Sequence, residues 1–440
     1  MERAIYNSLL EWKRSTARKP LVLSGVRQSG KTYILKEFGR REFRRTHYIN
    51  FEKSPHLAAI FDDDLSPRKI FERLSLNLDE DINLTEDLII YDEAQNCPKA
   101  INSLKYVEED EPRAAVCSAG SLIGLTVGEE SFPVGKVNFM RMFPMTFREF
   151  LGAAKPKLAA AFDDMMEKGS IPPESHRALW CEMTRYHIVG GLPEAVSVYL
   201  SHDDLPSALK AARNAQTEIL RGYQADFAKH SGKINAGHIV RVFDAVPLLL
   251  AKAIDGSVSR FRFKGVVPGR SKLSHLEGPI DWLIKAGLLV KSSLVEKPAI
   301  PLNAYASENL FKLYMFDVGM LCCMLDLPFE SVLDQNYGSV KGYFAENLVA
   351  QELTAYDQKP LYWWRGRESE VEFMRVFAGK IIPLEVKSGA CVKSRSLAAY
   401  NEKHSPPFMV RLSGLNIDTR SDFPRNYPLY AAGAASGKYY

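Results

Sequence analysis

Residues 25–32 read G-V-R-Q-S-G-K-T, the spacing G-x-x-x-x-G-K-[ST] of a loop that cradles phosphate. Each fixed position has its own task. Gly25 and Gly30 let the backbone wrap so that amides, including those of Val26, Arg27, Gln28 and Ser29, point inward at phosphate oxygens. Lys31 reaches the β- and γ-phosphates, and the Thr32 hydroxyl can ligate Mg²⁺. A helix opening near Gly30 and running through Tyr33 aims its positive end at the same oxygens. The flanks agree. Leu21, Val22 and Leu23 form the short apolar run of a buried parallel strand. Beyond the loop, Tyr33, Ile34, Leu35 and Phe38 fall at helical spacing. Strand, loop and helix in that order are the setting the motif requires, and residues 25–33 are the expected ATP contacts.

A second apolar run, Leu88 to Tyr91, leads into Asp92 and Glu93. An acid at the end of such a strand is where an enzyme of this type holds Mg²⁺, directly or through water, and Glu93 is placed to orient the attacking water or accept its proton. A third run, R-A-A-V-C-S-A-G-S at 113–121, reads as another buried strand. Ser118 and Ser121 are candidates for sensing the γ-phosphate. The alternative is that these small residues only form a turn.

At 440 residues the chain is too long for one core, and two to four domains are expected. Its 46% hydrophobic and 25% charged residues are those of an ordinary globular protein. No run approaches the length of a membrane span, and M-E-R-A-I-Y carries no apolar leader, so a cytoplasmic location with no membrane partner is the expectation. The net charge of +4 does not by itself argue for nucleic acid. Basic residues do cluster at Lys36, Arg40, Arg41, Arg44 and Arg45. A second group is Arg365, Arg367, Arg375, Lys380, Lys387, Lys393 and Arg395. Either set is suited to phosphate or to plain solvation. Six cysteines make no C-x-x-C pair and no zinc spacing with the histidines, so reduced thiols are expected.

Residues 1 to about 150 alternate strands and helices, which predicts a parallel α/β sheet with further strands at His47–Phe51 and Val137–Phe143. Thr146 reads as the N-cap of a helix from Phe147 to Leu151. From 151 to 232 the pattern is helical, interrupted by G-G-L-P at 190–193. From 233 the alternation resembles a winged helix, a module that binds DNA or protein. Later come a helix from Val340 to Leu353 carrying Glu346, then two strands, Glu370–Phe377 and Lys380–Lys387. Side chains alternate along a strand, so Glu370 and Glu372 share a face, as do Glu385 and Lys387. The spacing is similar to the D…(D/E)-x-K core of metal-dependent nucleases, where carboxylates hold Mg²⁺ and lysine stabilises the attacking or pentavalent oxygen. A salt-bridged strand face would read the same way.

Taken together, the motifs resemble a family of bacterial and archaeal AAA-like P-loop ATPases with a C-terminal domain of unknown function and nuclease-like fold. The matching pieces are the loop at 25–32, L-I-I-Y-D-E-A-Q at 88–95, S-A-G-S at 118–121 and F-P-M-T-F-R-E-F-L at 143–151. G-G-L-P-E at 190–194, A-G-L-L-V at 286–290, F-K-L-Y-M-F-D-V-G-M at 311–320 and P-L-E-V-K-S-G at 383–389 complete the series. The resemblance implies a P-loop ATPase core at 1–150, a helical lid at 151–232, a winged-helix-like domain at 233–330 and a nuclease-like domain at 331–440. It implies ATP and Mg²⁺, with Lys31 and Thr32 as nucleotide and metal contacts, Asp92 holding the metal, and Glu93 and Lys31 catalytic. It maps Glu346, Glu372, Glu385 and Lys387 onto a nuclease-like site. ATP turnover coupled to DNA binding or processing is the implied function. The alternative is a nucleotide-dependent switch acting on a protein partner, with a catalytically inactive nuclease-like domain; a homo-oligomer is a further candidate partner. Two departures stand out. Lys136 follows Gly135 where an arginine finger is frequent, with Arg141 a substitute, and Glu372 stands where Asp is usual.

Overall fold

Leu21, Val22 and Leu23 are fully buried because β1 (Leu21–Gly25) runs through the middle of a sheet. Its parallel neighbours are β4 (Ala115–Gly120) on one side and β5 (Asn138–Met142) on the other. Outside β4 lie β3 (Leu88–Asp92) and then β2 (Thr46–Asn50), also parallel, giving the order β2-β3-β4-β1-β5. Helices cover both faces, as parallel sheets require. On one face α1 (Ile5–Arg14) and α2 (Lys31–Glu42) bury Leu9, Trp12, Ile34, Leu35 and Phe38 against Leu21, Leu23, Leu88, Ile90 and Cys117. On the other, α3 (Pro67–Leu78) and α4 (Pro98–Asp110) pack Ile70, Leu74, Ile101 and Leu104 on Val22, Ile89, Tyr91 and Val116. Each large apolar side chain so enclosed contributes about 1.5–3 kcal/mol.

The computed structural model describes residues 1–120, 133, 135–230, 233–252, 266–267, 272–338, 340–390 and 393–436. The chain divides into two units, Glu2–Phe143 and Pro144–Tyr440. The second opens with helices at Phe147–Ala154, Pro156–Glu167, Pro173–Val189, Pro193–Leu200 and Leu205–His230. Thr146 caps the first of them, accepting from the Glu149 amide while the Glu149 carboxylate accepts from the Thr146 amide.

A seven-stranded mixed sheet follows, in the order β12-β11-β10-β9-β8-β6-β7. Its members are β6 (Leu289–Val295), β7 (Ala306–Met315), β8 (Leu361–Arg365), β9 (Glu370–Phe377), β10 (Lys380–Val386), β11 (Val410–Ser413) and β12 (Arg425–Pro428). The sheet runs across residue 330, where a domain boundary is expected. Ser292, Ser293 and Leu294 of β6 pair in parallel with Leu361, Tyr362 and Trp363 of β8, so strands from either side of that point form one hydrogen-bonded sheet.

Three of the quoted motifs meet in the interior of this second unit. The Met145 amide donates to Gly191 O at 2.6 Å, and the Tyr186 hydroxyl donates to Met145 O at 2.5 Å. Buried Asp317 accepts from the amides of Gly191 at 2.6 Å and Met320 at 2.9 Å. Gln351, on the helix Val340–Asp357, donates to Tyr186 at 2.7 Å and accepts from the Val318 amide at 2.9 Å. Gly190 and Gly191 are glycines for lack of room: a Cβ would stand 2.2 Å from Asp317 Oδ1 and 2.0 Å from Met145 O, respectively.

Glu352 accepts from the Phe147 amide at 2.8 Å, and burial pushes its pKa up to about 8. A carboxyl raised in the folded state keeps its proton while the unfolded chain loses it. Stability is therefore full below the ordinary carboxyl pKa and falls until the pH passes about 8. Glu352→Gln keeps the acceptor and cannot ionise. The expected result is a variant that gains about 3–5 kcal/mol over the parent between pH 5 and pH 8.5, measured by urea unfolding at both. Equal slopes in the two proteins would show that Glu352 does not titrate in this range.

Candidate active site

The loop between β1 and α2 is held by contacts written into its sequence. Gly25 has φ +152° and passes so near β5 that a Cβ would lie 2.2 Å from Met142 O. Gln28 has φ 63° and Gly30 φ 94°, the left-handed turns that fold the loop back before α2 starts. The Ile34 amide closes the first helical bond on Gly30 O, leaving the amides ahead of it without intrahelical partners. Arg3 braces the loop from outside: its guanidinium donates to Ser29 O at 2.9 Å and to Phe143 O at 2.7 Å.

Lys31 is 8% exposed, and its Nζ donates to Gly25 O and Val26 O, both at 2.9 Å. Burial lowers its pKa to about 8, against the opposing pull of Glu93 and Asp92. Thr32 Oγ1 donates to Asp92 Oδ2 at 2.8 Å. The Tyr48 hydroxyl donates to the same oxygen at 2.6 Å, and Asn50 Nδ2 donates to Tyr48 at 3.0 Å. The Lys36 ammonium sits 3.4 Å from the centre of the Tyr48 ring. Burial and the Asp92 carboxylate push the Tyr48 pKa up to about 12, so the hydroxyl stays a donor. Glu93 has φ 50°, and Gln95 Nε2 donates to Glu93 Oε2 at 2.5 Å. A hydroxyl and a carboxylate already within hydrogen-bond reach, on the face that carries α2, fit a hard divalent ion such as Mg²⁺.

The structure thus brings Gly25 through Tyr33, Asp92 and Glu93 together at the ends of β1 and β3. It does not bring Ser118. That residue pairs with Val22 and Tyr91, and it shares the α3/α4 face with Val116 while Cys117 and Ala119 face α2. Its hydroxyl is buried without a hydrogen-bond partner, under the sheet rather than at the loop. Period-2 alternation decides this, because one residue's shift changes the face. Ser121 lies outside the described residues. Lys136 is tied to Glu108 at 2.9 Å and Glu109 at 3.1 Å. Arg141 lies over the Phe143 ring at 5.3 Å, with its pKa lowered by burial. Reading the sequence missed Arg3, Tyr48, Asn50 and Gln95. The alternation Y-I-N at 48–50, ending level with Asp92, was the available signal for two of them.

The second candidate set lies in the other unit. Glu346 accepts from Tyr314 at 2.9 Å and from Lys312 at 3.2 Å. Glu372 accepts from the Val386 amide at 3.0 Å, and Lys387 Nζ stands 3.1 Å from Glu385. Burial and then Glu346 raise the Glu372 pKa. Among the described residues, no group of three His, Cys, Asp or Glu side chains is arranged to hold a metal ion. Hydroxyl and ammonium donors engage Glu346, an amide donor engages Glu372, and Glu385 has the Lys387 ammonium near it but, among the described residues, no hydrogen-bond donor on its buried oxygens.

Residues 17–151 match the model of a family described as an AAA domain. Residues 182–331 and 341–427 match two domain families of unknown function. No curated protein matches the chain. Among solved structures, PCH-2 of C. elegans is 13% identical, with a TM-score of 0.33 over 50% of this chain and 69% of that one. The ORC1 protein of Aeropyrum pernix, solved in complex with DNA, is 14% identical, with a TM-score of 0.25 over 76% and 90%. Drosophila ORC bound to DNA is 13% identical, with a TM-score of 0.29 over 76% and 95%. Such scores carry no argument about what this chain does. No helix among the described residues is long and apolar enough to cross a membrane. The family match and the loop geometry agree on one statement: residues 17–151 of this chain are similar to an AAA domain and carry a phosphate-binding loop.

Proposed function

We propose that this protein hydrolyses ATP at the loop of residues 25–33 and works as a nucleotide-dependent switch on a partner of its C-terminal unit. One observation carries the reading: Lys31, Thr32, Asp92 and Glu93 gather at the ends of β1 and β3, with Thr32 already bonded to Asp92 at 2.8 Å. Mg²⁺, held by Thr32 and Asp92, would supply charge neutralisation at the β- and γ-phosphates. Lys31 binds the same oxygens once its ammonium turns from the loop carbonyls to the phosphates. Glu93, steadied by Gln95, orients the attacking water and takes its proton.

The partner is proposed to be protein, or a second copy of this chain, because Glu346 and Glu372, two of the carboxylates expected to process DNA, already accept from Lys312 and the Val386 amide. The rival is coupling to DNA, for which exposed Arg365, Arg367, Lys380 and Arg395 are the candidate phosphate contacts. Glu93→Gln separates binding from chemistry. ATP affinity should be retained by calorimetry while phosphate release falls about 10²–10⁴-fold. Release within tenfold of the parent would remove Glu93 from the reaction. Parent turnover measured with and without duplex or single-stranded DNA, at a stated salt concentration, decides the partner. A rise with DNA, together with a gel shift, would replace the protein-partner reading.

A further inference from the structure

Lys312 belongs to no motif of the nuclease-like region, yet it reaches the centre of that region's charge. It lies on β7 at the sheet edge and is fully buried. Its side chain lies over Trp363 of β8, with Nζ 5.2 Å from the ring centre. The ammonium meets Glu346 Oε2 at 3.2 Å and forms an ion pair with Glu370 of β9. Two residues on, the Tyr314 hydroxyl donates to the same Glu346 oxygen at 2.9 Å. Burial alone would pull the pKa of Lys312 down, but Glu346, Glu370 and Glu372 outweigh it and hold the ammonium charged.

A divalent ion in such a place needs oxygens from several carboxylates converging at about 2.0–2.6 Å. Here two carboxylates, Glu346 and Glu370, close on a nitrogen instead. Glu346 and Glu370 close on Lys312, Glu372 accepts the Val386 amide, and fully buried Glu385 faces the Lys387 ammonium. An unpaired buried carboxylate costs several kcal/mol, so the cluster requires a cation. Metal and ammonium are alternative answers to that requirement, and both cannot stand in the same place.

We infer that Lys312 takes the position a divalent metal ion would hold among Glu346, Glu370 and Glu372, so that this region is a metal-free relative of a nuclease site. The inference rests on reading 331–440 as nuclease-like and is independent of the ATPase site. The test is Mn²⁺ titrated into the nucleotide-free full-length protein and followed by electron paramagnetic resonance. The parent and its Glu372→Gln variant should bind Mn²⁺ identically. Lys312→Met should gain one Mn²⁺ site, lost again in Lys312→Met/Glu372→Gln. A parent site that disappears in Glu372→Gln would overturn the inference while strengthening the nuclease-like reading. A folded Lys312→Met that gains no site would overturn the nuclease-like reading itself. If Lys312→Met does not fold, the comparison of parent with Glu372→Gln still decides.

Discussion

Lys31→Ala is expected to reduce ATP turnover about a thousandfold, the scale on which one preorganised charge stabilises a transferring group in a water-poor site. The reasoning starts from burial. An ammonium that is 8% exposed and bonded to two loop carbonyls has little solvation to lose when phosphate arrives. It exchanges carbonyl oxygens for phosphate oxygens, and the gain grows as negative charge collects on the γ-phosphate oxygens. Alanine removes the charge and leaves Gly25 O and Val26 O without the donor they had, so loop order must be followed beside activity. The measurement is phosphate release at saturating ATP, with thermal unfolding in parallel. Turnover within tenfold of the parent, in a variant that melts normally, would show that the lysine does not face the reacting phosphate. Arg3→Met would separate the two effects: it keeps Lys31 but removes the brace on Ser29 O, and should raise KM more than it lowers kcat.

Gly191→Ala is expected to destabilise the second unit by about 3 kcal/mol or more, because an added methyl would displace backbone rather than a flexible side chain. The new Cβ would lie 2.0 Å from Met145 O and 2.7 Å from Met145 N. Those two atoms already bond Tyr186 and Gly191. Movement there propagates to Asp317 and Gln351, which hold the same knot. A fall of about 5–10 °C in the melting temperature of the second unit follows. Gly222→Ala is the control. It sits in the helix Leu205–His230 with nothing within 4 Å of the place an added methyl would occupy, and alanine there should be neutral or stabilising by up to about 1 kcal/mol. Equal melting temperatures for both variants would mean that G-G-L-P is not constrained by packing.

The division between what was readable and what was not follows from range. The loop at 25–32, the strand before it and Asp92-Glu93 were readable because their chemistry is local. A glycine with φ +94°, an apolar run and an acid at a strand end each act within a few residues. Thr146 as a helix cap was readable for the same reason, since its partner Glu149 is three residues away. Ser118 suits the role by residue type, while its parity along the strand sets the face it occupies. Tyr48 was passed over because an aromatic on a strand reads as core until Asp92 is seen beside it.

The sequence alone determined the backbone cradle, its lysine and its acidic partner, since local sterics and alternating burial permit little else for those residues. Tertiary structure decided which hydroxyls touch Asp92, and that one sheet runs across residue 330. It also decided that Lys312 answers the charge of Glu346 and Glu370, which lie in segments read as a different domain. The physical reason is that buried charges must be neutralised through space, and no local pattern records which distant side chain the fold supplies.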